Sequence, residues 1–174
     1  MTKQEITDKL TSNHRTFADL IVSLNDRDFL HALPGKWTAG QQLDHILRAV
    51  SPLTKILALP KFMIKLIFGK ANRPSKDYEN LVKKYHAKLE SGGKATGRFI
   101  PSLVEPVQKE ILKNKLLRAV ARLIKNTDDY SEQQLDAYIL PHPLLGKLTL
   151  REMFYFTIYH VEHHQKATLR NLGR

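Results

Sequence analysis

The chain has 174 residues, 42% of them hydrophobic, which suits one domain with a sizeable buried core. Cysteine is absent, which excludes disulfides, thiolate metal ligands and a cysteine nucleophile, and fits a reducing cytoplasmic setting. Net charge is +11, from 28 Lys and Arg against 17 Asp and Glu, spread along the chain without an arginine-rich arm.

The polar start MTKQEITDKL lacks the apolar run of a signal peptide, and no apolar stretch approaches the ~20 residues of a membrane span. In the first segment Ile6, Leu10, Phe17, Leu20, Ile21 and Leu24 recur at intervals of three, four and seven, predicting an amphipathic helix over about 3–24. After a Pro34–Gly35 turn comes WTAGQQLDHILRAVSPL. Thr38 and Gln41 form a capping box, and Leu43, Ile46, Ala49, Val50 and Leu53 line one side. Pro52 is expected to kink or end this helix, because it lacks an N–H and crowds the preceding turn.

A short helix is expected at 62–68, then a loop over ANRPSK. A further helix is expected over 76–90, with Tyr78, Leu81, Val82, Tyr85 and Leu89 on one side. SGGKATGRFIPS is a clear break and the best linker candidate. A long helix follows over roughly 103–126, carrying Val107, Ile111, Leu116, Val120, Leu123 and Ile124. Residues 127–147 read mostly as loop, with a helical turn at 132–135. Thr149 and Glu152 form a second capping box, and the last helix runs to about Leu172. With little strand signal, the expected architecture is all-α: a four-helix bundle with extra short helices in its connections, as a single domain over 1–174.

Three of the eight histidines fall in YHVEHHQKATLR. At 100° per residue, His164 lies ~40° from His160 and His163 ~300°. Leu150, Met153, Phe154 and Val161 share the side of His160 and His164, whereas Glu152, Glu162, Lys166 and Arg170 occupy the polar arc. His163 sits at the border, as a half-exposed or supporting group. On the second helix His45 shares its face with Ile46, Ala49 and Leu53, while Asp44 and Arg48 point away. Two inward imidazoles one turn apart, with a third on another helix, form a candidate metal site of the kind bundle cores hold. The competing reading is a set of core histidines satisfied by carbonyl groups. His14, His31 and His86 read as surface residues. His142, in PHPLLG, either lines the site mouth or lies in a loop.

These pieces carry a resemblance. WTAGQQLDHI with Trp37 and His45, HPLLGKLT over 142–149, and YHVEHHQKATLR occur in the order seen in the DinB-like superfamily, including its YfiT-like metal-dependent hydrolases. The resemblance implies a four-helix bundle with one divalent metal ion held by His45, His160 and His164; imidazole suits zinc, nickel, copper and iron, of which zinc and nickel lead. Trp37, His142 and His163 would then stand around the site or at its mouth. It also implies chemistry: some members are S-transferases using a low-molecular-weight thiol, one is a thiol-dependent isomerase, and others are labelled hydrolases. The QKATLR tail departs from the more usual family pattern, in which a Gln follows two or three residues later.

Three neutral imidazoles on a divalent ion leave a coordination position open. Water there is acidified to a pKa of about 7, which suits hydrolysis; a thiol there binds as thiolate and becomes a nucleophile. The H-E-x-x-H proteases place a base glutamate beside the first histidine, where this chain has Val161, and no inward carboxylate is evident. The residues therefore lean toward thiol transfer onto a small-molecule substrate, with general acid and base unassigned. Two other readings stand: a non-catalytic bundle with a structural or vestigial metal site closed by a fourth ligand, and, weakest, an anion or nucleic-acid binding module suggested by the net charge. PKFMIKLIFGK raises membrane-surface contact, against the simpler reading of a lid or packing helix. A bundle face could also support a homodimer.

Overall fold

A computed structural model describes all residues, Met1–Arg174. Eight α-helices and one short hairpin follow in the order α1 (Lys3–Ser23), α2 (Asp26–Leu30), α3 (Ala39–Leu57), α4 (Lys61–Phe68), α5 (Tyr78–Glu90), α6 (Lys109–Asp128), α7 (Glu132–Ala137), β1 (Ile139–His142), β2 (Gly146–Thr149) and α8 (Leu150–Asn171). Helices α1, α6, α3 and α8 pack in a ring, each against the next, and this is the four-helix bundle. α5 lies outside the ring against α8. The fold is all-α in architecture, with a two-stranded sheet as its only extended element. No helix is long and apolar enough to cross a membrane.

Local chemistry sets the helix starts. Thr2, Thr38, Ser131 and Thr149 each cap a helix, with Glu5, Gln41, Gln134 and Glu152 reaching back to complete capping boxes. Packing sets the faces. Ile6, Leu10, Phe17 and Ile21 from α1 meet Leu43, Ile46, Val50 and Leu53 from α3 in one cluster, with Leu116, Val120 and Leu123 from α6 and Phe154, Ile158 and Val161 from α8.

Several expectations are corrected. Pro52 does not end its helix: α3 continues to Leu57. An internal proline costs about 3 kcal/mol, and the turn beyond it offsets this. Leu53 and Leu57 are buried there, the Thr54 hydroxyl donates to the Ala119 carbonyl at 3.2 Å, and Asn126 donates to the Thr54 carbonyl at 3.1 Å. The long helix after the glycine-rich break begins at Lys109, behind a 3₁₀ turn at Pro106–Gln108, so Val107 and Ile111 are exposed rather than core. Part of the expected loop before α8 is a hairpin, pairing Leu140 with Leu148 and His142 with Gly146. Its strands have four residues each and one contains Pro141, too little for a legible alternation. Gly146 takes a left-handed φ of 75°, which turns the chain into β2.

Three side chains placed on polar or surface positions are buried: His14, Glu152 and, beside the site, Asp44. His14 is fully enclosed on α1, in register with Leu10, Phe17 and Ile21. Glu152 is also fully enclosed. Its carboxylate accepts from Arg73 at 2.6 and 2.8 Å, from the Lys76 amide at 2.8 Å and from the Thr149 amide at 2.9 Å. Burial pushes that carboxyl up, but Arg73 and the two amides together hold it below the ordinary glutamate value.

Candidate metal centre

α3 and α8 bring His45, His160 and His164 together between them, all buried. One nitrogen from each ring lies within 4.8 Å of the other two. The His160 Nε2 stands 3.2 Å from the His45 Nε2 and 3.0 Å from the His164 Nε2. His160 and His164 reach one point because they are one helical turn apart on the inward stripe of α8, and His45 meets them from the facing stripe of α3.

The outer nitrogens show what the inner ones can do. The His45 Nδ1 donates to the Phe99 carbonyl at 2.6 Å, and the His164 Nδ1 donates to the Gln42 side-chain carbonyl. Carbonyl oxygens only accept, so in both rings the proton sits on Nδ1 and the Nε2 lone pair points inward. Two lone pairs thus face the third imidazole nitrogen across 3.0–3.2 Å, and the one proton a neutral His160 can place there satisfies at most one of them. A cation answers this arrangement. With bonds of about 2.0–2.1 Å, nitrogens of a shared ion lie roughly 3 Å apart. The residues present therefore fit a divalent ion bound by imidazole.

Electrostatics agree. Burial lowers the pKa of His160 and His164 well below the usual histidine value, and the neighbouring imidazoles lower both further. His45 is lowered too, by burial, against a partial rise from its bond to Phe99. Neutral imidazole is the form that ligates.

The support for His45 comes from the segment expected to be a linker. Asp44 does not point away as expected: it is buried, accepting from the Ser102 amide at 2.8 Å and from Arg48 Nε at 2.7 Å. Arg48 also donates to the Arg98 carbonyl at 3.2 Å and to the Ser102 hydroxyl at 2.9 Å. Asp44 and Arg48 thereby strap residues 98–102 onto α3 and deliver the Phe99 carbonyl to His45. At the start of α3 the helix passes close to α2, and Gly40 is required: a Cβ there would lie 2.7 Å from the buried Phe29 ring.

The other expected site residues surround the triad. Trp37 is 4.8 Å from the His45 ring and lies almost parallel to His164 at 6.0 Å, centroid to centroid. Asn171 at the end of α8 donates to the Trp37 carbonyl at 2.8 Å, so the helix end holds Trp37 in place. His163 is partly buried, with its ring 5.2 Å from His164 and 5.6 Å from Tyr85; burial, then Arg170, lowers its pKa to about 4. His142 does not join the triad. Its Nδ1 accepts the Leu144 and Leu145 amides at 3.1 Å each, and its ring meets Phe156 at 4.2 Å. Phe156 in turn stacks on His160 at 4.6 Å, so His142 acts behind the site. Burial and Lys84 lower His142 to about 4.

Gln42, Phe156, Tyr85 and the Phe99 carbonyl escaped the sequence reading. Gln42 had a signal: it precedes His45 by three residues and so shares its helix side. The Phe99 carbonyl had none, since a backbone acceptor leaves no trace in residue type. His31 is exposed as expected; His86 is exposed too, with its Nε2 2.6 Å from the Tyr159 hydroxyl.

A surface cavity of about 450 Å³, lined by Leu57, Pro60, Lys61, Asn126, Asp129 and Tyr130, does not touch the triad. No curated protein and no solved structure matches the chain. The family description of the DinB superfamily matches residues 9–167, spanning the triad and both helices that carry it. The chain belongs to the DinB superfamily.

Proposed function

We propose that this protein is a metal-dependent enzyme in which His45, His160 and His164 hold one divalent ion, zinc or nickel, and which transfers a low-molecular-weight thiol onto a small electrophilic substrate. The supporting observation is the convergence of three Nε2 atoms with two of the rings fixed, through Nδ1, as inward acceptors. An ion bound there would hold a thiol as thiolate at the coordination position that three protein ligands leave open.

The chain's own residues favour thiol transfer over hydrolysis. Water attack needs a base, and the two buried carboxylates of the ligand-bearing helices are committed elsewhere. Asp44 is engaged by Arg48 and the Ser102 amide. Glu152 is engaged by Arg73 and lies about 12 Å along α8 from His160. A thiolate needs no such base. Trp37, Tyr85 and Phe156 around the imidazoles would exclude water and strengthen electrostatic interactions at the nucleophile.

A structural metal site would be closed by a fourth protein ligand. His142, its Nδ1 occupied by two amides, offers none from that nitrogen. The deciding experiment is a turnover assay of metal-loaded protein with a panel of low-molecular-weight thiols and an electrophilic acceptor. Thioether formation that needs both metal and thiol, and that vanishes in His160→Ala, supports the reading. Hydrolysis of the acceptor without thiol would replace it with the hydrolase reading, and metal bound without turnover would replace it with the structural one.

A further inference from the structure

α4 is the part of the fold that the metal centre does not use. It packs inward through Ile64, which is fully buried. Phe62 and Leu66 stand on the opposite side, at about 160° and 200° from Ile64. They are 69% and 82% exposed, and Ile67, about 100° round the helix from Leu66, is 57% exposed. Phe68 at its end packs against the core, but a small helix that leaves Phe62, Leu66 and Ile67 outside needs a partner.

Charge indicates which one. From residue 45 to residue 76 the chain has seven Lys and Arg and no Asp or Glu. Lys65 on α4 and Lys70 just after it are exposed and form no ion pair. Lys61 is engaged, with the Asp129 carbonyl and the Gln134 side chain, and is not counted. The other exposed apolar strip, Ile100, Leu103, Val107 and Ile111, differs: Glu105 and Glu110 interrupt it. An apolar face whose own stretch of chain carries cations and no acid, with Asp129 meeting it only at the Lys61 end, repels a second copy of itself and is complementary to an anionic, apolar-cored surface.

We infer that α4 is a docking element for an anionic lipid bilayer, with Phe62, Leu66 and Ile67 entering the headgroup–acyl boundary and Lys65 and Lys70 against the lipid phosphates. A basic side chain held at an anionic bilayer raises partitioning about fivefold. With two such charges and three apolar anchors the attachment is reversible and fades with added salt.

The test is co-sedimentation of the full chain with vesicles of phosphatidylcholine alone and of phosphatidylcholine mixed with phosphatidylglycerol, at low and high salt. The expected result is binding to the mixed vesicles, weakened by salt and absent with phosphatidylcholine alone. Phe62→Ser with Leu66→Ser should lower the partition coefficient roughly tenfold or more, and Lys65→Glu by about fivefold or more. Leu103→Ser with Val107→Ser, on the strip interrupted by glutamates, should change nothing. All these positions are exposed, and circular dichroism of each variant checks that the helices persist. No binding to either vesicle, equal binding to both, or binding that survives loss of Phe62 and Leu66 overturns the inference. So does a dimer that forms without lipid and that the Phe62 and Leu66 substitutions dissociate.

Discussion

His14 and His160 are the same residue type on the same kind of surface, an inward stripe of a long bundle helix, and both are buried. Their surroundings differ. The His14 Nδ1 is 2.8 Å from the Leu10 carbonyl one turn back, and its Nε2 meets no partner at all. The His160 Nε2 meets two other imidazoles, one on its own helix and one on the facing helix. Burial is the largest cause lowering the pKa of both, His14 to about 4, and at His160 the neighbouring imidazoles add to it. Burial therefore does not mark a site; convergence of donor atoms from separate elements does. An isolated buried imidazole is a cost the fold carries, while three that share one point form a place for a cation.

Substitutions can break or sharpen this contrast. The largest expected effect concerns Glu152, a buried polar group that joins its own helix cap to Arg73 and Lys76 from the segment before α5. Glu152→Ala leaves the Arg73 guanidinium without its carboxylate, holding only the Pro74 and Lys147 carbonyls, and strands the Thr149 and Lys76 amides. Because Arg73 keeps about a third of its side chain in water, the expected loss is about 2–3 kcal/mol in urea unfolding. A loss below half of that would mean these bonds are replaced by water at little cost.

Next comes Gln42, which holds the His164 ring from behind. Gln42→Leu should lower metal affinity by 10- to 100-fold while leaving the helices intact, as a competitive chelator titration would measure. Unchanged affinity would remove Gln42 from the site.

The smallest effect at neutral pH belongs to His14. His14→Leu removes an orphaned nitrogen and should stabilise the fold by about 1 kcal/mol. The sharper signature is its pH dependence. The folded pKa, about 4, lies below the ordinary value of 6.5, so the unfolded chain binds more protons between them. Stability carried by neutral His14 is complete above pH 6.5 and drains as pH falls toward 4. His14→Leu should flatten that part of the curve, by up to about 3 kcal/mol at its acid end. Parallel wild-type and variant curves would show that His14 finds a partner when charged.

What the sequence revealed follows from which interactions have local signatures. The capping boxes at Thr38 and Thr149 fixed two helix starts, because both partners lie within three residues. The 3.6-residue period placed His45, His160 and His164 inward, because facing helices of a bundle read as stripes. The same period covers Leu10, His14 and Phe17, so the burial of His14 was within reach; a histidine was taken as polar despite its apolar neighbours. Glu152 misled for the converse reason. Its wheel position is polar in an isolated helix, and only the distant Arg73 makes its burial affordable. Continuation of α3 through Pro52 rests on tertiary packing, the hairpin strands are too short to show a period, and the strap that aims the Phe99 carbonyl at His45 depends on contacts more than fifty residues apart.

The first measurement is elemental analysis of purified, untagged protein beside His45→Ala and His160→Ala. About one zinc, nickel or similar ion per chain, lost in both variants while the helical circular dichroism persists, is the expected result. No ion after reconstitution, or an ion retained in both variants, would contradict the assignment of His45, His160 and His164 as a metal centre and leave them, like His14, as buried imidazoles.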